Sequence, residues 1–366
     1  MYTKLRKLHL KIRLTSEELI IIVSTKPISR SDKKRRMDME PVRWGVLGVA
    51  RHYILRVHIP ARDSSLVEIH GIASRDADKA KRAAEKLDIP VSYNSYEKLL
   101  EDSAIEAVFI PLPNHLHAEW IRKAADAGKH ILCEKPLTMN SAEAREVIEY
   151  TKQKGVMLME AFMHRFHPEW QRARDLTMIG EIGRVHAIHT FFTYNLTDPN
   201  NIRNILQFGG GAIRDIGCYA VNTARFVLDA EPKRVVSLMT RDSGFGTDIL
   251  SSALLDFGDA RSLFTVATQT FPFQRVDILG SDGSLTIHLP FNIYPDVPVR
   301  MTVMNDIGTR ELNLGPSDMY SIEFEEFSRA LREGREVPTP PEDALNNQKV
   351  LDALFRSAET GNWETV

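Results

Sequence analysis

Residues 42–161 alternate short apolar runs with stretches of helix-forming composition, and few architectures accept that pattern. Val42-Arg43-Trp44-Gly45-Val46-Leu47-Gly48 is an apolar run closed by glycine, which reads as a buried strand. A helical stretch follows to about Arg62, then a strand over Leu66–Ala73 and an Ala/Lys/Glu-rich helix over Asp76–Leu87. A minor strand near Val91 precedes strands at Ala107–Leu112, His130–Cys133 and Val156–Ala161, with helices over His115–Ala127 and Ser141–Lys154 between them. Such alternation predicts parallel βαβ units with right-handed crossovers.

Beyond about residue 163 the texture changes. One helix, Glu169–Met178, leads into runs rich in Thr, Val and Phe: Val185–Tyr194, Val235–Thr240, Ile249–Phe257, Ser262–Thr270, Val276–Leu279 and Val299–Val303. Turns such as Gly280-Ser281-Asp282-Gly283 join several of them, which predicts a largely antiparallel sheet. Tyr320–Glu333 and Glu342–Ala358 read as closing helices. The expected class is α/β: a Rossmann-type dinucleotide-binding domain over 41–162, then an α+β domain with a large, mostly antiparallel open sheet over 163–341. Residues 342–366 are expected to pack back on the first domain, and 1–40 to form a basic, disordered extension.

Composition excludes several classes. The longest aliphatic run, Leu19–Val23, has five residues, whereas a bilayer needs roughly 20. A net charge of −2 gives no general pull toward nucleic acid or an anionic membrane. Cys133 and Cys218 are too few for a disulfide framework and suit reduced thiols in a cytoplasmic protein. Residues 1–40 carry a net +6, leaving −8 on the remainder. This basic head lacks the apolar stretch of a secretory signal, because Glu17 and Glu18 interrupt it, and Arg35-Arg36 is followed by no apolar run. A start near Met37 or Met39 is an alternative, and no motif begins before Val42, so removing residues 1–38 is expected to leave folding and turnover intact.

The first strand ends at Gly48-Val49-Ala50-Arg51-His52-Tyr53, where a dinucleotide fold places G-x-G-x-x-G. The match is partial, with Ala and Tyr at the second and third glycines; the strand before and the helix after supply the context. On this reading the loop Gly48, Ala50, Arg51 and His52 faces a pyrophosphate at a helix N-terminus. NAD enzymes place an acid at the end of the second strand. Here Glu68 stands at the strand's start, and the strand ends in Ala73-Ser74-Arg75. A hydroxyl beside a guanidinium suits a 2′-phosphate and predicts NADP, with NAD as the alternative should Asp76 take the ribose.

Glu134-Lys135-Pro136 follows the His130–Cys133 strand, at the edge where open α/β sheets bind ligands. Further on, Gly209-Gly210-Gly211-Ala212-Ile213-Arg214-Asp215-Ile216-Gly217-Cys218-Tyr219 opens an apolar helix and sets Asp215 and Tyr219 four apart, on one face. With Ile110-Pro111-Leu112-Pro113-Asn114-His115-Leu116-His117, Glu160-Ala161-Phe162-Met163-His164-Arg165-Phe166-His167-Pro168 and Pro341-Glu342-Asp343-Ala344, the chain from about Val42 onward resembles the glucose–fructose oxidoreductase / inositol dehydrogenase (Gfo/Idh/MocA) family. Within it the chain is most similar to the branch of NADP-dependent D-xylose dehydrogenases and trans-dihydrodiol dehydrogenases.

The resemblance implies hydride transfer between NADP(H) and a CH–OH group of a sugar or cyclic diol. Lys135 would polarise the hydroxyl, Tyr219 would move the proton with its phenol made more acidic by the nearby ammonium, and Asp215 would orient the pair. Pro111, Leu112, Asn114, His117 and Glu134 would line the cofactor cleft, and Arg165 would approach the nicotinamide from the domain junction. A homo-oligomer, dimer or tetramer, is expected from the family and from apolar residues on both faces of the second sheet. Two other classes stand beside this reading: an NADP-binding regulator without fast turnover, and a metal-dependent hydrolase or isomerase using the scattered histidines. The latter lacks both an H-E-x-x-H and a Cys pair, and no metal is expected.

Overall fold

Two sheets carry the chain in the computed structural model, which describes residues 39–366; the basic head, apart from its last two residues, lies outside the described residues. The first sheet comprises β1 (Val42–Leu47), β2 (Val67–Ala73), β3 (Val91–Tyr93), β4 (Ala107–Ile110), β5 (His130–Glu134) and β6 (Leu158–Ala161). Its order is β3-β2-β1-β4-β5-β6 and every pairing is parallel. Its helices are α1 (His58–Arg62), α2 (Ala77–Leu87), α3 (Tyr96–Glu101), α4 (His117–Asp126) and α5 (Ser141–Lys154). A π-helical turn at Tyr53–Val57 leads into α1. The sequence order reverses between β1 and β4, so the crevice beyond their carboxyl ends is the ligand-binding position of such sheets.

Helix boundaries follow local chemistry. The Asn140 carboxamide accepts the Glu143 N–H at the start of α5, and Gly155 closes it with φ 69°. Asp76 caps α2 in the same way through the Lys79 N–H.

After α6 (Pro168–Met178), the second sheet is built from β7 (Val185–Asn195), β8 (Arg234–Arg241), β9 (Asp248–Asp256), β10 (Arg261–Ala267), β11 (Gln269–Gly280), β12 (Gly283–Ile287), β13 (Val299–Asn305) and β14 (Gly308–Leu314). β15 (Glu364–Thr365) completes it, and α7 (Cys218–Leu228), α8 (Met319–Glu333) and α9 (Pro341–Thr360) accompany it. The order is β14-β13-β12-β11-β7-β10-β9-β8-β15, antiparallel except for β10 against β7. The run read as one strand, Ser262–Thr270, breaks at Thr268. There the N–H bonds back to Ile249 while the carbonyl accepts from Leu196, so the chain passes from one neighbour to another. β12 and the edge strand β14 were not expected. β14 is mostly polar and exposed, so it shows little apolar alternation.

One face of this sheet is core, with Ile188, Phe264, Val276, Ile278, Leu285 and Met301 buried. α8 and α9 tie the two sheets together. Trp44 of β1 packs against Phe324 and Phe327 of α8 and donates its indole N–H to Ser328. Asp352 of α9 accepts the Ser141 N–H of α5, while Ser357 accepts the Ser237 N–H of β8. Among the described residues no helix is long and apolar enough to cross a membrane. Cys133 and Cys218 are free and buried.

Candidate active site

Lys135 projects from the carboxyl end of β5, and the backbone after it is held on both sides. The Leu137 N–H donates to Oε1 of buried Glu160 at 2.7 Å, and the Pro136 carbonyl lies 2.9 Å from Nδ1 of His117. The lysine reaches the turn before α7: its Nζ donates to the Asp215 carbonyl at 2.5 Å and to Oδ1 at 3.3 Å. The same ammonium lies 4.9 Å from the centroid of the Tyr219 ring. Lys135, Asp215 and Tyr219, up to 84 positions apart in the chain, therefore share one crevice.

Asp215 serves more groups than expected. Its Oδ2 accepts the Tyr194 hydroxyl at 2.6 Å and the Arg203 Nε–H at 3.0 Å. Burial alone would push its carboxyl up. The charges of Arg203 and Lys135, with the Tyr194 bond, outweigh that and hold it well below the usual carboxylate range. Lys135 is affected in turn: burial favours the neutral amine, yet the Asp215 charge keeps the ammonium more stable than in water. Neither Tyr194 nor Arg203 was singled out from the sequence. The sequence pointed no further than the loop Asn195–Phe208, which contains Arg203, as the source of polar contacts to substrate hydroxyls.

The glycines act through close approach. A Cβ at Gly210 would lie 2.4 Å from the Arg203 carbonyl oxygen, and one at Gly211, where φ is +117°, would lie 2.0 Å from Asp248. Gly209 accepts the Asn114 carboxamide N–H at 2.9 Å, which joins the loop after β4 to this run.

Along the carboxyl edge of the first sheet, Gly48 has φ +117°, and a side chain there would press on Leu112 at 3.1 Å. Glycine is therefore required at this turn, and helical residues run from Arg51 to Arg62 directly behind it. Arg51 is exposed, Val49 and Ala50 half-buried. His52 lies 3.9 Å from Glu134 and 3.1 Å from the Tyr320 hydroxyl. Burial, then the charges of Arg203 and Lys135, hold the His52 imidazole down at about 3, so it is neutral. Burial also pushes the Glu134 carboxyl up. At the end of β2, Ser74 is buried and Arg75 exposed. Asp76 is already committed to capping α2.

Residues 42–162 match the model of an oxidoreductase family with an NAD-binding Rossmann fold, and 170–286 match the GFO/IDH/MocA C-terminal domain. The chain belongs to the GFO/IDH/MocA oxidoreductase family.

This oxidoreductase is 39% identical over 322 residues to the D-xylose 1-dehydrogenase (NADP(+)) 2 of Haloferax volcanii, covering 87% of this chain and 98% of that protein. It is 33% identical over 252 residues to trans-1,2-dihydrobenzene-1,2-diol dehydrogenase of Xenopus laevis, covering 67% and 74% respectively. Among solved structures, a 3-ketoreductase from Actinomadura kijaniata in complex with NADP and TDP-benzene superposes with a TM-score of 0.82 at 29% identity, over 87% of this chain and 98% of that one.

Two sequence expectations need correction in the oxidoreductase. His117 does not line a cleft. It is fully buried, with its ring nitrogens 2.9 and 2.8 Å from the Pro136 and Leu112 carbonyl oxygens, so it braces the two loops from beneath. Arg165 is tied to the closing helix: it donates to Asp343 at 2.7 Å and stacks over Phe226. Arg225 shares Asp343 from α7, so these groups lock α9 against the site. Finally, the Tyr219 phenol is not made more acidic. Burial pushes it well above its ordinary value, and its hydroxyl donates only to the weak acceptor Sδ of Met163 at 3.2 Å. Among the described residues no cluster of three or more His, Cys, Asp or Glu is arranged to hold a metal ion.

Proposed function

We propose that the oxidoreductase transfers a hydride between NADP(H) and a CH–OH group of a sugar or related cyclic polyol or diol, as an aldose 1-dehydrogenase or dihydrodiol dehydrogenase does. The observation that carries this is the meeting of the Lys135 ammonium with Asp215 and the Tyr219 ring at the carboxyl edge of a parallel sheet. The named activities of the D-xylose, dihydrodiol and 3-ketoreductase relatives support it. Two buried free thiols suit a reducing cytoplasm.

Gly48, Ala50, Arg51 and His52 would hold the pyrophosphate of NADP, Ser74 and Arg75 its 2′-phosphate, and Pro111, Leu112, Asn114 and Glu134 the rest of the cleft. When bound, the nicotinamide supplies or takes the hydride. The chain's own groups do the remainder. Lys135, kept charged by Asp215, polarises the reacting oxygen. Tyr219, a neutral phenol, gives its proton in reduction and recovers one in oxidation. Activity measured at 340 nm over aldoses, inositols and dihydrodiols with NADP and NAD tests the reading. Absence of turnover with every member would overturn it.

NADP preference is expected because the acid nearest the end of β2, Asp76, is committed to a helix cap while the exposed guanidinium of Arg75, hydrogen-bonded to Tyr96, would meet a phosphate. Arg75→Ala should weaken NADP by at least about tenfold, the loss of one charge-assisted contact, and leave NAD nearly unchanged. An unaltered NADP/NAD ratio of kcat/KM refutes the assignment.

A homodimer through the outer face of the nine-stranded sheet belongs to the same proposal. Leu238 is 77% exposed and Phe271 79%, with Leu279 and Phe273 also outward. A groove of about 490 Å³ opens there between Phe191, Leu238, Leu254 and Leu263, and none of its lining residues belongs to the Lys135 site. Apolar patches of this kind mark interfaces. Light scattering at micromolar concentration is expected to give twice the chain mass, and Leu238→Arg to lower it. A monomer mass for the unaltered chain counts against the dimer.

A further inference from the structure

We propose that Arg203 is the specificity-determining contact of this site: its two Nη amines bind the oxygen on the carbon next to the reacting one, so that the enzyme selects vicinal diols over isolated alcohols. The inference rests on the assignment of Lys135 and Tyr219 to the reacting hydroxyl.

Arg203 and Lys135 grip opposite oxygens of one carboxylate, Oδ2 and Oδ1 of Asp215. The two cations thus flank a single carboxylate. Arg203 spends only its Nε–H on Asp215; among the described residues its Nη amines make no hydrogen bond. The arginine side chain is 36% exposed while Asp215 is 14%, so the guanidinium is only partly covered, and its charge also reaches His52 and Glu134 on the neighbouring rim. The Asp215 charge, opposing burial, makes Arg203 harder to deprotonate than in water, so the fork is permanently a donor.

The backbone beneath it is fixed. Asn201 accepts the Arg203 N–H at 3.1 Å, Asn204 donates to the Asp198 carbonyl at 2.8 Å, and Gly211 donates to the Arg203 carbonyl at 2.9 Å. Any side chain at Gly210 would displace that carbonyl. The triple glycine therefore presents Arg203 to the crevice on a backbone with little freedom. A substrate hydroxyl held by Lys135 would bring its neighbouring hydroxyl toward this fork, and planar paired donors suit oxygen recognition. A substrate lacking that oxygen leaves the donors unpaired, which is the strongest form of discrimination a polar site has.

The test uses two matched pairs with NADP: D-glucose against 2-deoxy-D-glucose, and trans-cyclohexane-1,2-diol against cyclohexanol. The unaltered enzyme is expected to favour the vicinal member by about 10²-fold in kcat/KM, less than for a fully buried donor because the fork is partly wet. In Arg203→Leu the preference should shrink below about fivefold, mainly through a higher KM for the diol, beyond the loss in kcat that removing the Asp215 contact imposes on both members alike. Arg203→Lys, which keeps the charge beside Asp215 but not the fork, should fall between. A merely structural role would lower both members of a pair together and keep the ratio. An unchanged ratio in an Arg203→Leu enzyme that still binds NADPH, judged by cofactor fluorescence, overturns the inference. If that variant fails to bind NADPH, the ratio in Arg203→Lys decides in the same way. An unaltered enzyme inactive on both pairs, and on the wider substrate panel, overturns the hydroxyl-oxidation reading itself and the inference with it.

Discussion

Lys135→Met is expected to leave a folded chain that still binds NADP but turns over at least about 10³-fold more slowly, the scale of losing a preorganised charged donor at the reacting oxygen. Methionine keeps the length of the aliphatic stem, so the crevice between β5 and α7 stays filled. Only the ammonium is lost. Asp215 then keeps its bonds from Arg203 and Tyr194, so its charge is not left bare. The geometry therefore separates the chemical role of the lysine from a structural one. Cofactor fluorescence measures binding and absorbance at 340 nm measures turnover. Retention of more than about a tenth of the activity would mean that the hydroxyl is polarised by another group, and Arg203 is the neighbouring cation.

Tyr219→Phe is expected to lower kcat by about 10²–10⁴-fold, the usual worth of a positioned acid or base. The ring contacts with Phe162, His164, Phe192 and Phe291 survive, because phenylalanine keeps the ring. The pH profile supplies the sign. Burial raises the phenol, so it carries its proton through neutral pH and is ready to donate in reduction. Oxidation needs the phenolate, so its rate should climb as pH rises, and Tyr219→Phe should remove that climb while leaving the folded state intact. Near-normal turnover with an unaltered profile would make the tyrosine structural. Lys135 is then a poor substitute acceptor, since Asp215 holds it charged. His164 is the better one: burial keeps its imidazole neutral, both ring nitrogens lack partners among the described residues, and its ring lies 5.3 Å from that of Tyr219.

Much of the architecture was legible because it is written in local chemistry. Ser141–Lys154 was bounded correctly at both ends, with Asn140 as the cap and Gly155 as the stop. The strands at Val42, Val67, Ala107 and His130 announce themselves as apolar runs because a parallel sheet covered on both faces has no solvent side to alternate with. Positions at the carboxyl ends of such strands follow from topology, which is why Gly48, Ser74 and Lys135 could be placed there from the sequence and are found there. The Thr268 break and the polar edge strand β14 were missed, since pairing partners rather than composition define them.

The sequence by itself thus determined the order of the main elements and the family, and it nominated residues for the chemistry, because propensity, capping and motif spacing act over a few residues at a time. Only the tertiary structure decided what those residues do to one another. His117 became a buried brace, Arg165 turned to Asp343, and Asp215 acquired Arg203 and Tyr194. The Tyr219 phenol rose rather than fell. The physical reason is common to all four: burial and the distance between charges depend on contacts between segments far apart in the chain, and no local pattern encodes a dielectric environment.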